Sequence, residues 1–284
     1  MSIELKNASF TYWTSDGKDV RALMDISFKI EEGEFVGIMG HTGCGKTTLI
    51  QLIAGLLTPV SGSVLLDGHD INKRGYDRKV LRKSVSLVFQ FPEYQLFEST
   101  VEKDVAFGLK HSGSSCDEVR ARVKWAIETM QLPYDALRLQ SPLSLSGGEK
   151  RRIAIAGALV TKPRFLIFDE PIAGLDPKGR HSFMETVSQL NREGTAIIMV
   201  THNADAIGEY AKRLLVFDNG ALVIDGAVND VFSNSGRLES LHLNAGTVRN
   251  IGDMLSKRGI AIPSTAASYN ELFSAIKAVL AGGV

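Results

Sequence analysis

From Ser2 to Tyr12 apolar and polar side chains alternate, "SIELKNASFTY", the period-two pattern of a strand with one buried face. Strand-like segments of this kind or of continuous apolar type fall at 2–12, 26–31, 35–39, 63–66, 85–89, 165–168, 196–200, 214–218 and 221–224. The early ones alternate, whereas "FLIF" and "AIIMV" are unbroken apolar runs, as parallel strands covered on both faces require. Helical periodicity lies between several of them, so the pattern predicts an α/β domain with an antiparallel β portion near its start. Between about 91 and 160 the pattern turns helical without strands. In "CDEVRARVKWAIETMQL" Val119, Val123, Ala126, Ile127 and Met130 share one helical face, and Asp117 and Glu118 occupy the first turn, where the helix dipole favours acids. This stretch reads as a helical insertion in the α/β core. After about 232 a third composition begins, with two helices separated by a Gly/Pro-containing turn. A tail that holds two chains together and a tail packed on its own subunit are both open.

Composition narrows the picture. At 284 residues, 44% hydrophobic and 23% charged, the chain has room for one large domain and an appendix. Lys+Arg and Asp+Glu are both 32, so no net positive field gathers nucleic acid or an anionic membrane, and no nucleic-acid partner is expected. Cys44 and Cys116 sit in polar, glycine-rich sequence without metal-ligand spacing, which speaks against a disulfide framework or zinc site and fits a reducing cytoplasm. The first residues lack the basic start and apolar stretch of a signal peptide. The longest apolar runs, such as "IAIAGALV" at 153–160, are well short of the ~20 residues that cross a bilayer. A membrane connection is therefore expected to run through a partner.

The chemistry begins at "GIMGHTGCGKTTLI", which holds G-x-x-x-x-G-K-T between an apolar strand and an apolar helix, the context a phosphate loop requires. Gly40, His41, Thr42, Gly43, Cys44, Gly45, Lys46, Thr47 and Thr48 together form the expected cradle for ATP. Gly43 and Gly45 let backbone N–H groups turn toward phosphate oxygens, and Lys46 brings a charge to the β- and γ-phosphates. The Thr47 hydroxyl is the expected Mg²⁺ ligand. For His41 and Cys44 the backbone amides are expected to matter and the side chains not; a nucleophilic Cys44 would need a base that the sequence does not offer.

"FLIFDEP" is an apolar strand ending in two carboxylates, and a parallel sheet presents ligands at the carboxyl ends of its strands. Asp169 is expected to hold Mg²⁺ or its water shell, and Glu170 to act as general base on the attacking water. Gln90, ending "SVSLVFQ", and His202, following "AIIMVT", are placed at strand ends in the same way. A lone Gln or His there is commonly structural, but the joint placement points Gln90 toward Mg²⁺ and water, and His202 toward the γ-phosphate. "SLSGGEKRRIAIAGALV" poses a different question. Ser146 and Glu149 match a capping box, which alone means only a good helix start. A capping box needs no glycines, though, and Gly147 and Gly148 weaken a helix start while admitting very close approach. Something is expected to sit against them, and a phosphate is the natural candidate.

"GHTGCGKTT", Gln90, "LSGGEKRR", "FLIFDEP", "AGLDP" and His202 occur in the order and approximate spacing of the ATP-binding-cassette (ABC) ATPases, and over about 1–232 the chain resembles that family. The resemblance implies a P-loop NTPase fold with a RecA-like core, an antiparallel β subdomain, a helical subdomain inserted at about 91–160 and a C-terminal helical extension, 233–284. It further implies a head-to-tail dimer in which each ATP lies between one subunit's phosphate loop and the other's Ser146, Gly147 and Gly148. By position Asp176 looks like the residue that crosses that interface, and Tyr12 like the aromatic that stacks on adenine; Tyr12 shares a strand face with Phe10, so a core role is also open.

"QFPEYQLFESTVEKDVAFG" and "VRNIGDMLSKRGIAIPSTAASYNEL" are similar to segments of the ATPase subunits of energy-coupling factor (ECF) importers, of the second, or A′, type. That likeness implies uptake of vitamins or transition-metal ions, ATP hydrolysis at the cytoplasmic face of the membrane, and as partners a second ATPase subunit (a copy or a paralogue), a transmembrane T component and a substrate-binding S component. Cys44 stands where Ser is usual and Ile172 where Thr is usual; neither change removes an expected ligand side chain. A soluble ABC ATPase of translation or DNA maintenance is the alternative, but such proteins usually carry two cassettes or a long coiled-coil insertion. A P-loop small-molecule kinase is disfavoured by the LSGGE stretch.

Overall fold

The computed structural model describes residues 1–13, 17–110, 112–260, 262 and 268–281. Two sheets organise the chain. The first is antiparallel, in the order β2-β1-β4-β5, from β1 (Ser2–Tyr12), β2 (Val20–Glu31), β4 (Ser61–Leu66) and β5 (His69–Asp70). The second runs β10-β9-β3-β8-β7-β6, from β3 (Phe35–Gly40), β6 (Val85–Val88), β7 (Phe165–Asp169), β8 (Ala196–Val200), β9 (Arg213–Asp218) and β10 (Ala221–Ala227). Its strands pair in parallel except β10, so β3, β8, β7 and β6 deliver their carboxyl ends to one edge.

The apolar runs of this sheet are explained by burial on both faces. Val36, Ile38, Phe165, Ile167, Ile198 and Leu215 point into a core shared with the antiparallel sheet and with α1 (Lys46–Ile53). Phe35, Met39, Leu166, Phe168, Ile197 and Val216 point the other way, into a core closed by helices. Those on the route from β4 to β7 are α2 (Arg78–Ser84), α3 (Val101–Ala106), α4 (Cys116–Thr129), α5 (Tyr134–Leu137) and α6 (Gly147–Leu159). They are followed by α7 (Pro177–Arg192) and α8 (Ala204–Tyr210). No strand occurs among the described residues between β6 and β7, as the helical periodicity predicts. In α4 Val123, Ala126 and Ile127 are fully buried, while Val119 is only partly so; a Ser115–Glu118 capping box starts the helix.

Two strands depart from the sequence pattern. β2 begins at Val20, six residues before the predicted start, because Asp25 at φ +49 throws the alternation out of phase. Register shifts between the Ala8–Ile26 and Phe10–Leu23 pairs mark the same break. β5 is two residues long and exists by pairing with Leu65 and Leu66, so no periodicity announces it.

Beyond β10 come α9 (Val228–Ser233), α10 (Ser235–Ser240), α11 (Thr247–Lys257) and α12 (Tyr269–Ala281). Val228, Val231, Phe232, Leu238 and Ala245 belong to the main core. Only past them does a separate small cluster begin, where Val248 and Leu272 pack with Ile262 and Ile276.

Candidate functional site

The loop between β3 and α1 is shaped by its surroundings. Gly45 has φ +100, and a Cβ there would collide with the Ala22 carbonyl oxygen; Gly43, in open space, is held at φ +84. No side chain caps the start of α1, which leaves its first N–H groups to an anion. Lys46 Nζ donates to the carbonyl oxygens of Gly40 at 2.7 Å and His41 at 2.9 Å, so the ammonium is aimed across the concave side of the loop. Thr47 Oγ1 donates to Asp169 Oδ2 at 3.3 Å, bringing two of the three expected Mg²⁺ ligands together from α1 and β7. Thr48 is buried, and its hydroxyl lies 3.1 Å from the Tyr12 hydroxyl. Tyr12 meets Phe10 edge to face at 4.9 Å, yet at 40% exposure it is no core residue.

The side chains of His41 and Cys44 have surroundings that their sequence neighbours do not show. The His41 ring is engaged: Nε2 lies 3.0 Å from Asp218 Oδ1 and Nδ1 2.8 Å from the Thr42 carbonyl. Cys44 is not in polar surroundings but 1% exposed within the core, and burial pushes its thiol up, which makes it inert as a nucleophile. Cys116 is exposed. Asp218 escaped the sequence reading although it ends the apolar strand "RLLVFD", as Asp169 ends "FLIFD".

Asp169 is buried, and burial, with the neighbouring Glu170 charge, pushes its carboxyl above the usual range against the Thr47 hydrogen bond and Lys46. Glu170 follows β7 at φ +47, with its N–H on the Val200 carbonyl at 2.8 Å. Its Oε1 accepts from the His202 N–H at 3.0 Å and lies 2.9 Å from His202 Nδ1; its Oε2 accepts from Thr201 Oγ1 at 3.0 Å. The carboxylate is sheltered, with a side-chain exposure of 15%, while His202 at 78% is open to anything entering the site. Thr201, absent from the sequence expectations, thus completes a clasp on Glu170. Gln90 is not the end of its strand: β6 stops at Val88, and Gln90 is exposed in a bend before Phe91 at φ +57. No hydrogen bond among the described residues joins Gln90 to Thr47 or Asp169.

Ser146 caps α6 in a closed box. Its N–H donates to Glu149 Oε2 at 2.9 Å, and the Glu149 N–H donates to Ser146 Oγ at 3.4 Å. The hydroxyl and N–H of Ser146 hold the Glu149 carboxyl below its usual range. Gly147 and Gly148 are exposed, and a Cβ on either would meet nothing within 4 Å, so nothing within the described chain calls for glycine at either position. No atom of the phosphate loop of the same chain comes within 4 Å of a Cβ placed on either glycine. Asp176 N-caps α7, with its Oδ1 accepting from the Gly179 N–H at 2.9 Å. Arg151, one turn into α6, is buried and turned toward the segment after Glu170. No helix of the described residues is long and apolar enough to cross a membrane.

Comparison with known proteins gives one consistent picture. The family model described as ABC transporter matches residues 23–173, more than half of the chain. A Clostridium tetani protein called energy-coupling factor transporter ATP-binding protein EcfA2 is 43% identical over 263 residues, covering 92% of this chain and 91% of its own. A Caldanaerobacter subterraneus protein of the same name is 43% identical over 272 residues, 95% of each. Among solved structures, cbiO1 from Clostridium perfringens, part of the ABC transporter complex cbiONQ, aligns with a TM-score of 0.72 at 35% identity, covering 89% of this chain and 98% of its own. The ATP-binding cassette MJ0796, in a dimeric post-hydrolysis state bound to ADP and Pi, aligns with a TM-score of 0.71 at 30% identity over 79% of this chain and 98% of its own.

Proposed function

Because this chain belongs to the ABC transporter family, we propose that it is the ATP-binding and ATP-hydrolysing subunit that energises an ECF-type importer. The observation that carries the reading is the 43% identity to energy-coupling factor ATP-binding proteins over 92–95% of the chain, a span too long to leave out the helices α9 to α11 that follow β10. Hydrolysis is the chemistry the site is built for. Lys46 and the uncapped start of α1 bind the phosphates, and Tyr12 offers an exposed ring beside Thr48 for the adenine. Thr47 and Asp169 present hard oxygen donors side by side, a donor set that fits Mg²⁺; Gln90, exposed in the bend after β6, would complete the set once the ion is bound. When bound, the ion neutralises phosphate charge. Glu170 takes the proton of the attacking water, and Thr201 and His202 fix its orientation. His202 also serves the γ-phosphate from its exposed position.

The chain acts as half of a head-to-tail pair, with a copy or a paralogue as its mate. Residues 1–232 form the cassette, with about 91–160 inserted, and Ser146, Gly147 and Gly148 close on the mate's ATP. Their open, exposed helix start supports this, since no intrachain contact explains the glycines. Asp176 contributes at the interface from its capping position. A transmembrane T component and a substrate-binding S component hold the pair at the cytoplasmic face of the membrane, and the imported vitamin or metal ion does not touch this subunit. A tagged chain extracted in detergent is expected to bring down membrane-embedded subunits together with an ATPase mate. Purification with soluble or nucleic-acid partners alone overturns the assignment in favour of a soluble ABC ATPase.

The extension, 233–284, is proposed to keep the pair together when the nucleotide faces part. Because Leu238 and Ala245 lie in the main core, a clean deletion begins at 247. It is expected to weaken the nucleotide-free pair more than the ATP-bound one, measured by sedimentation with and without ATP. Equal weakening in both states means the tail packs on its own subunit.

A further inference from the structure

Arg151 is an unusual charge to find where it is. It is 7% exposed, on the face of α6 that carries Ile155 into the core, one turn from Gly147 and Gly148. Its guanidinium spends its donors on one short stretch of backbone: Nη1 donates to the Ala173 carbonyl at 2.9 Å, and Nη2 to the Pro171 carbonyl and, more weakly, to that of Glu170 at 3.5 Å. Nε is buried without a hydrogen-bond partner, and so is Oε2 of Glu93, in the turn Pro92–Gln95 against which α6 packs. Burial pushes Arg151 below the usual arginine value, and the Glu93 charge works against that. A buried cation is a poor way to stabilise a fold when an apolar side chain of similar size could fill the space. What a planar fork does better is hold several carbonyls in fixed relation. The carbonyls it holds are those of the turn that carries Glu170 at φ +47, a backbone conformation that persists only where its surroundings over-determine it.

We propose that Arg151 is a positioning residue for hydrolysis, making the placement of Glu170 depend on the position of α6. The inference rests on the reading above in which the start of α6 caps the mate's ATP. One chain then carries both a cap for one nucleotide and the general base for the other, and Arg151 is the rigid link between them. Movement of α6 as it closes on nucleotide carries the carbonyls of 170, 171 and 173 with it. Thr201 and His202 hold the carboxylate end of Glu170, so the residue is fixed from both sides.

The test is single-turnover hydrolysis by the full chain in its purified complex. Arg151→Lys keeps the charge but replaces the fork with one point donor. It is expected to slow hydrolysis about 10- to 100-fold, as misplacement of a catalytic group by a fraction of an ångström to an ångström does, with ATP affinity within about three-fold of normal. In a Glu170→Gln background the same substitution is expected to change the residual rate by less than about two-fold, because its effect passes through the missing base. A loss that multiplies in that background, or one confined to KM, marks a merely structural arginine and overturns the proposal. If the lysine variant fails to bind ATP, Arg151→Gln, which keeps donors for the carbonyls without the charge, takes its place in the same cycle. The capping premise is read separately by Gly147→Asp. Should that variant hydrolyse normally while Arg151→Lys still acts through Glu170, the link between the half-sites is overturned and Arg151 is only a prop. Should Gly147→Asp be dead and Arg151→Lys fully active, the capping premise stands and the Arg151 inference falls.

Discussion

Glu170→Gln is expected to bind ATP with near-normal affinity and to hydrolyse it about 10²- to 10⁴-fold more slowly, the range over which a positioned general base contributes. The substitution is close to silent for the architecture. A glutamine carbonyl can accept the two contacts that His202 makes to Oε1, and its amide can face the Thr201 hydroxyl in place of Oε2. The phosphate contacts of Lys46 and of the start of α1 are on other elements and persist. Binding without turnover leaves the closed, ATP-bound pair as the accumulating species, readable by size exclusion with ATP. Turnover within a few-fold of the unaltered chain assigns the base elsewhere, with His202 the first candidate because its ring already reaches the same carboxylate.

Why this site was readable in the sequence, and where reading failed, has a physical explanation. The strand ends that carry Asp169 and Thr201–His202 follow unbroken apolar runs, which only strands buried on both faces produce, and the edge where they meet is set by their parallel pairing. The phosphate loop and the Ser146 box are local motifs whose geometry needs few distant residues, although Gly45 also answers to the Ala22 carbonyl. What could not be read depends on contacts between remote segments. Cys44 is buried because β9 packs beside the loop, and His41 is engaged because Asp218 ends that strand; neither fact is present in "GHTGCGKTT". Arg151 is one of three consecutive basic residues in "EKRR", and only the fold sets the turn after Glu170 over it. Gln90 was placed on a strand that stops two residues earlier, since an apolar run gives no signal for where its pairing ends.

Gly147→Asp is expected to leave ATP binding by the isolated subunit near normal, because that chain's own phosphate loop is untouched. A Cβ at Gly147 would meet nothing within 4 Å, so the substitution brings no clash at that atom within the described chain. Hydrolysis by the pair is nonetheless expected to collapse. An aspartate there directs a carboxylate at the γ-phosphate of the mate's ATP in a site being emptied of water, and occupies the space through which the phosphate must approach. Mixing decides the matter. Lys46→Ala removes the ammonium that spans the phosphate loop, so that chain fails in its own loop but keeps an intact α6. Joined head to tail with Gly147→Asp, it places both defects in one composite site and leaves the other intact. Activity absent from each variant alone is therefore expected to return in part, provided one intact site turns over; where the mate is a paralogue, the two substitutions are divided across the heteropair. A verified mixed pair that stays inactive, while pairing either variant with an unaltered chain leaves activity, removes the capping role. Gly147 and Gly148 would then be no more than the first turn of a helix that Ser146 already caps.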